Sequence, residues 1–221
     1  MKYQILNIVL LLAAAFACIY CTYIYSSPSD LMWTRFDSDM LHWVSFLTAN
    51  FTHYNNVHLY ENLAGLLVIW LLLYSPNVNT YADKTASLLF SCFAVTVGIA
   101  FFNHSISTYC GLSGALHGMF AYTAILRYFR DGDVKGIILL IGLIIKLYVD
   151  FNWPELTFNE LAQKVYGETI TIEKQINPDS DFAYSTCGEA HLFGAIGGSV
   201  LAVIRGLFFS KDRMIVGRSV R

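Results

Sequence analysis

Gly111-Leu112-Ser113-Gly114-Ala115-Leu116-His117-Gly118 opens a run that stays apolar to Phe129, broken by a charge only at Arg127. A stretch this apolar suits a bilayer core, which takes roughly 20 residues of helix. Its first two turns nevertheless carry a hydroxyl and an imidazole, groups that are costly in lipid and therefore ask for a reason. Two other apolar runs begin the same way. His58-Leu59-Tyr60-Glu61-Asn62 heads one, and Glu189-Ala190-His191, followed by Gly194, Gly197 and Gly198, heads the other.

The composition agrees with lipid as the solvent. Of the 221 residues, 56% are hydrophobic and 14% charged, with mean hydropathy +0.50, whereas a soluble domain carries about a quarter charged residues. Six stretches read as membrane helices, at roughly 4–25, 57–75, 84–102, 111–129, 134–149 and 189–209. The expected fold is an all-α polytopic membrane protein: a six-helix membrane domain over 1–209 and a basic cytoplasmic tail over 210–221. The first run follows Lys2 and shares features with a signal peptide, but Ile5 to Ile24 is long enough to span, which favours a retained helix. A net charge of −2 and the lack of a Lys/Arg-rich run speak against nucleic-acid binding.

Orientation follows from Lys and Arg. With the N-terminus inside, ten of the 14 basic residues fall on the inner side, and Arg35, Lys146, Lys164 and Lys174 outside. This obeys the positive-inside rule and puts both termini in the cytoplasm. The outer loops are then about 26–56, 103–110 and 150–188. In the first, Leu31 to Leu47 mixes Trp33, Trp43 and aliphatics with Arg35, Asp37 and Asp39, a pattern for amphipathic helix at the interface. The last is acidic, with a short strand expected around 169–172.

This topology sends helices 2, 4 and 6 from outside to inside, so their polar first turns share one depth. There Ser113, His191, His58 and Asn62 can converge. A serine hydroxyl attacks a carbonyl only when a base takes its proton, and a histidine does this at neutral pH. Attack creates an oxyanion that needs donors in place. His58 and Asn62, four apart, share a helical face, and the Ser113 N–H sits in a first turn that has no intrahelical acceptor. Gly111 and Gly114 leave room beside the hydroxyl for a substrate backbone.

Plainer readings compete. Gly114-xxx-Gly118 and Gly194-xxx-Gly198 are small-xxx-small patterns that pack helices in any membrane protein; they account for the glycines but not for the serine and histidine beside them. Asn62 could be interhelical glue, and His53, Asn103 and His104 wet loop residues. His117 competes with His191 as base, being one turn from Ser113, but it lies about 6 Å deeper, where hydrolytic water is scarce. Cys18-x-x-Cys21 sits in an apolar run and reads as packed or lipid-facing. Cys110 and Cys187 flank the site on the expected oxidising face, either as a disulfide or as two free thiols. None of the five cysteines has zinc spacing, and the histidines show no metal motif.

At these residues the chain resembles the rhomboid intramembrane serine proteases. Gly111-Leu112-Ser113-Gly114 matches their Gly-x-Ser-Gly motif. Ala190, His191, Gly194 and Gly198 match Ala-His-x-x-Gly-x-x-x-Gly, His58 and Asn62 match His-x-x-x-Asn, and His53 fits a further family histidine. The eight residues from Gly111 are similar to the rhombosortases of Gram-negative bacteria. The resemblance implies six helices around a water-filled cavity open to the periplasm, in the bacterial inner membrane. It implies a Ser113–His191 dyad with His58 and Asn62 as oxyanion donors, and no metal or cofactor. Substrates would be exported, membrane-anchored proteins with a C-terminal Gly-Gly, apolar-helix, basic-tail signal, cleaved with water or an amine as acceptor. The long acidic loop has no counterpart in that pattern. The rivals are a non-catalytic transporter or channel lined by histidines, and a pseudoprotease that binds membrane clients.

Overall fold

The computed structural model describes residues 2–25, 28–35, 40–74, 80–153 and 188–218. These form α1 (Lys2–Ile19), α2 (Met40–Thr48), α3 (Asn56–Val68), α4 (Tyr81–Phe102), α5 (Ser113–Phe129), α6 (Lys135–Asn152) and α7 (Gly188–Arg218). α1 and α3 each run on into a π-helical turn, Tyr20–Ile24 and Ile69–Leu73. Among the described residues three helical segments are long and apolar enough to cross a membrane, Gln4–Ile24, Asn56–Leu73 and Tyr81–Phe102. α6 has the length too, but carries Lys135, Lys146 and Asp150.

α5 is the central element and touches α3, α4, α6 and α7. Its Ala115, Met119, Ala121, Tyr122, Ala124 and Leu126 are almost wholly buried. Apolar side chains line the outside instead: Ile8, Leu12 and Phe16 of α1, and Ile138, Ile141, Ile144 and Ile145 of α6 are all exposed. Faces of that extent suit a hydrocarbon solvent.

Glycine sets how close α5 and α7 come. A Cβ on Gly194 would collide with the Gly114 carbonyl, and one on Gly198 with the Gly118 carbonyl. The two small-xxx-small patterns therefore interlock with each other, as close helix packing in lipid requires. Gly114, expected to leave room for a substrate backbone, is instead packed against: a Cβ there would meet the Ala190 carbonyl and Val95, so the packing reading is the one that holds for it.

The expected interfacial helix is α2, whose Trp43, Val44 and Leu47 are exposed while Ser45 is buried. A two-stranded antiparallel ribbon, β1 (Trp33–Thr34) with β2 (Thr108–Tyr109), was not foreseen. It ties the segment before α2 to the one before α5. Beside it Arg35 donates to the carbonyls of Ile99, Ala100 and Asn103 at the end of α4, and to Ile106. A cation on the unpaired carbonyls of a helix C-terminus satisfies them and favours the dipole.

Two helix ends differ from the sequence reading. α6 continues past 149 to Asn152, so Asp150 belongs to its last turn rather than to an outer loop. The ion pair Lys146–Asp150, one turn apart, supports the extra turn. α7 continues past 209 to Arg218, so most of the expected tail is helical. The strand expected around 169–172 lies outside the described residues.

At the end of the bundle remote from Ser113, a polar cluster is buried. Asp83 accepts from Tyr122 Oη at 2.9 Å and Arg205 Nε at 2.9 Å. Lys84, the first residue of the apolar stretch 84–102, is buried and donates to the Trp70 carbonyl at 2.7 Å. Arg127 donates to the Leu73 carbonyl and pairs with Asp133.

Candidate functional site

The first turns of α3, α5 and α7 lie together. Leu112 is the N-cap of α5, and Leu116 N–H donates to its carbonyl at 3.0 Å; the Ser113 N–H thus falls in the unpaired first turn. Gly111 precedes it with φ +124°, a conformation that glycine adopts without penalty. A Cβ there would also stand 2.6 Å from Cε1 of His58, so glycine is what lets that ring lie against the approach to Ser113. The Gly111 peptide is fixed from both sides: its N–H donates to the Ala49 carbonyl at 2.9 Å, and its carbonyl accepts from Tyr109 Oη at 2.6 Å.

Ser113 Oγ and His191 Nε2 are 2.9 Å apart. On the far side of the ring, His191 Nδ1 is 2.7 Å from Asp150 Oδ2. A carboxylate only accepts, so Nδ1 carries the proton and donates; Nε2 is then left with its lone pair toward the serine hydroxyl, which donates to it. His191 and Asp150 are both buried. The second carboxylate oxygen, Oδ1, takes an ion pair with Lys146, whose side chain is about half exposed (51%).

His117 does not face the hydroxyl. Its Nδ1–H donates to the Ser113 carbonyl at 2.7 Å, which leaves Nε2 unprotonated and 3.9 Å from Asp150 Oδ2, with no hydrogen bond between them. Its ring stacks on His191 with centroids 4.0 Å apart and planes 15° from parallel. His117, Asp150 and His191 offer three ligand atoms within 4.8 Å of one another. Imidazole lone pairs lie in the ring plane, however, and one ion cannot sit in two parallel planes. The cluster suits proton handling better than metal binding.

His58 and Asn62 share a face of α3 as expected. Asn62 is buried and spends one N–H on the His58 carbonyl at 2.9 Å, keeping the other. Asn55 caps α3 by accepting from the His58 N–H at 2.8 Å. His53 is no wet loop residue: it is 2% exposed, with its ring edge-on to His58 at 5.0 Å and Nδ1 3.3 Å from Thr22 Oγ1. Burial first, and His58 second, push its imidazole down to about 3, so it stays neutral. Cys110 is a buried free thiol beside Tyr54, and Cys187 lies outside the described residues. Cys18 and Cys21 are both buried, packed rather than lipid-facing.

The residue that sequence reasoning missed is Asp150. Its signal was the Lys146-x-x-x-Asp150 spacing, an ion pair one helical turn long inside an otherwise apolar stretch. No protein-family model matches this chain, and no curated protein matches it.

Proposed function

We propose that the protein is an intramembrane serine endopeptidase of the rhomboid type, with Ser113 as nucleophile and His191 as general base. One observation carries the reading: the 2.9 Å contact between an alcohol and an imidazole contributed by the first turns of two different helices. The imidazole is already in the tautomer that can accept the hydroxyl proton.

In this reading α5, α6 and α7 join the three apolar segments to make six spans, with both termini cytoplasmic and the site near the periplasmic face. The gathering of Lys84, Arg127 and Arg205 at the opposite end supports that orientation. Ser113 Oγ attacks the scissile carbonyl as its proton passes to His191 Nε2. The oxyanion receives hydrogen bonds from the Ser113 N–H and from His58 and Asn62. His191 then gives its proton to the leaving amine, and water or a competing amine resolves the acyl-enzyme. The motif resemblance to rhombosortases supplies the substrate class, exported proteins held by a C-terminal Gly-Gly, apolar, basic tail in the bacterial inner membrane.

Two experiments test this. A fluorophosphonate probe labels Ser113 in the wild type and nothing in Ser113→Ala; failure to label an inserted, folded wild type would leave a transporter or a client-binding pseudoprotease as the better account. Co-expression with a Gly-Gly-tailed exported protein yields a shortened C-terminus by mass spectrometry, abolished by Ser113→Ala. Full processing by that variant removes the nucleophile assignment.

A further inference from the structure

We propose that Asp150, held as a carboxylate by Lys146, is a positioning residue for His191, so that the site works as a Ser113–His191–Asp150 triad rather than the dyad its motifs suggest. The proposal rests on the protease reading and deepens it.

A neutral imidazole has two tautomers, and only the one protonated at Nδ1 offers Nε2 to the serine. Asp150 Oδ2, 2.7 Å from Nδ1, selects that tautomer because a carboxylate cannot donate. It also fixes the rotation of the ring about its Cβ, while His117 stacked at 4.0 Å fixes the plane. When Nε2 takes the serine proton the ring becomes an imidazolium, and a carboxylate already in place stabilises it.

An isolated carboxylate in an apolar surrounding would be neutralised rather than stay charged. Among the described residues, the titratable or charged groups that face Asp150 are Lys146 from its own helix, His117 from α5 and His191 from α7. Lys146 is the cation of the set. It occupies Oδ1 and leaves Oδ2 for His191, so the two oxygens divide between charge balance and orientation. Lys146–Asp150 with a neutral His191 carries no net charge in the resting state. The backbone makes the meeting possible: a Cβ on Gly188, at the start of α7, would be 3.2 Å from the Asp150 carbonyl oxygen. A residue with a side chain there would press the two helix ends apart.

The alternative is that Asp150 only staples α6 to α7. Kinetics on the full chain in proteoliposomes separate the two. For Asp150→Asn we expect kcat to fall by about 10²- to 10⁴-fold with KM within about twofold, and the acidic limb of the pH–rate profile to move to lower pH. A structural staple would not move that limb. Lys146→Met loses about tenfold in kcat and Lys146→Arg recovers most of it, because the charge rather than the chain length is what Asp150 needs. Nitrogen NMR of ¹⁵N-histidine-labelled wild type shows His191 protonated at Nδ1, a readout that requires no variant to fold. A wild-type kcat and pH profile in Asp150→Asn, or His191 found protonated at Nε2, overturns the proposal. Activity surviving in Ser113→Ala removes the protease reading instead, and the NMR result still decides whether Asp150 sets the tautomer.

Discussion

Replacing Gly114 by alanine tests whether helix contact sets the catalytic distance. A Cβ at 114 would stand 2.8 Å from the Ala190 carbonyl oxygen and 2.8 Å from Val95 Cγ2. Val95 can turn its side chain aside; a helix carbonyl cannot. Ordinary contact begins near 3.4 Å, so α7 must withdraw by about 0.6 Å at the residue next to His191. Carried through to the ring, that shift stretches the 2.9 Å Ser113–His191 contact to about 3.5 Å, beyond a working hydrogen bond. Overpacking of this kind costs about 1–3 kcal/mol of stability, which a bundle can survive. Misplacing a reacting group by a fraction of an ångström to 1 Å costs turnover more, here about 10- to 100-fold. Initial cleavage rates of a tailed substrate, measured with the rate of fluorophosphonate labelling and with thermal unfolding, separate the two losses. The expected result is a folded protein slowed in both reactions. If Gly114→Ala labels and cleaves at wild-type rates, the interlocked glycines do not set the distance and the argument fails.

Three further outcomes are expected. His191→Ala loses activity about 10³-fold or more, whereas His117→Ala, which removes a stacked ring and not the base, loses about tenfold or less; comparable losses would reassign the base. Asp83→Ala strands the buried Tyr122 hydroxyl, for about 1–3 kcal/mol of stability with the site chemistry intact, measured by unfolding and labelling together. Asp133, in the loop after α5, is held below the usual carboxylate range by the Lys135 N–H first and Arg127 second. A carboxyl depressed in the folded state stabilises above its ordinary value of 3.8, and the contribution fades as pH falls through the folded value. The thermal midpoint of wild type should therefore exceed that of Asp133→Asn at pH 7, with the difference closing below about pH 4.

The helices were legible because they are long apolar runs, three of them long and apolar enough to cross a membrane among the described residues, and Ser113, His58 and His191 because polar groups at the heads of such runs stand out. What the sequence could not show was orientation and partnership. His117 lies one turn from Ser113, on the same face, yet its ring is turned away by a hydrogen bond to the Ser113 carbonyl; spacing fixes a face, not a rotamer. Asp150 is 41 residues from His191, and an acid near the end of an apolar run reads as the first residue of a loop. Nothing local says that a cation one turn back and an imidazole from another helix hold it inside. The β1–β2 ribbon is two residues per strand, too short for any alternation to register. The burial of Asp83 and Lys84 was not legible either, because their partners, Tyr122, Arg205 and the Trp70 carbonyl, come from three other elements.

Arg35 also bears on how firmly the approach to α5 is anchored. Its guanidinium fastens the residue after β1 to three carbonyl oxygens at the end of α4 and to that of Ile106, and the ribbon beside it laces β1 to the stretch leading into Ser113. Moving that segment would break all of these hydrogen bonds at once. The end of α4 and the start of α5 are therefore held as one unit, through one guanidinium and the two residue pairs of the ribbon.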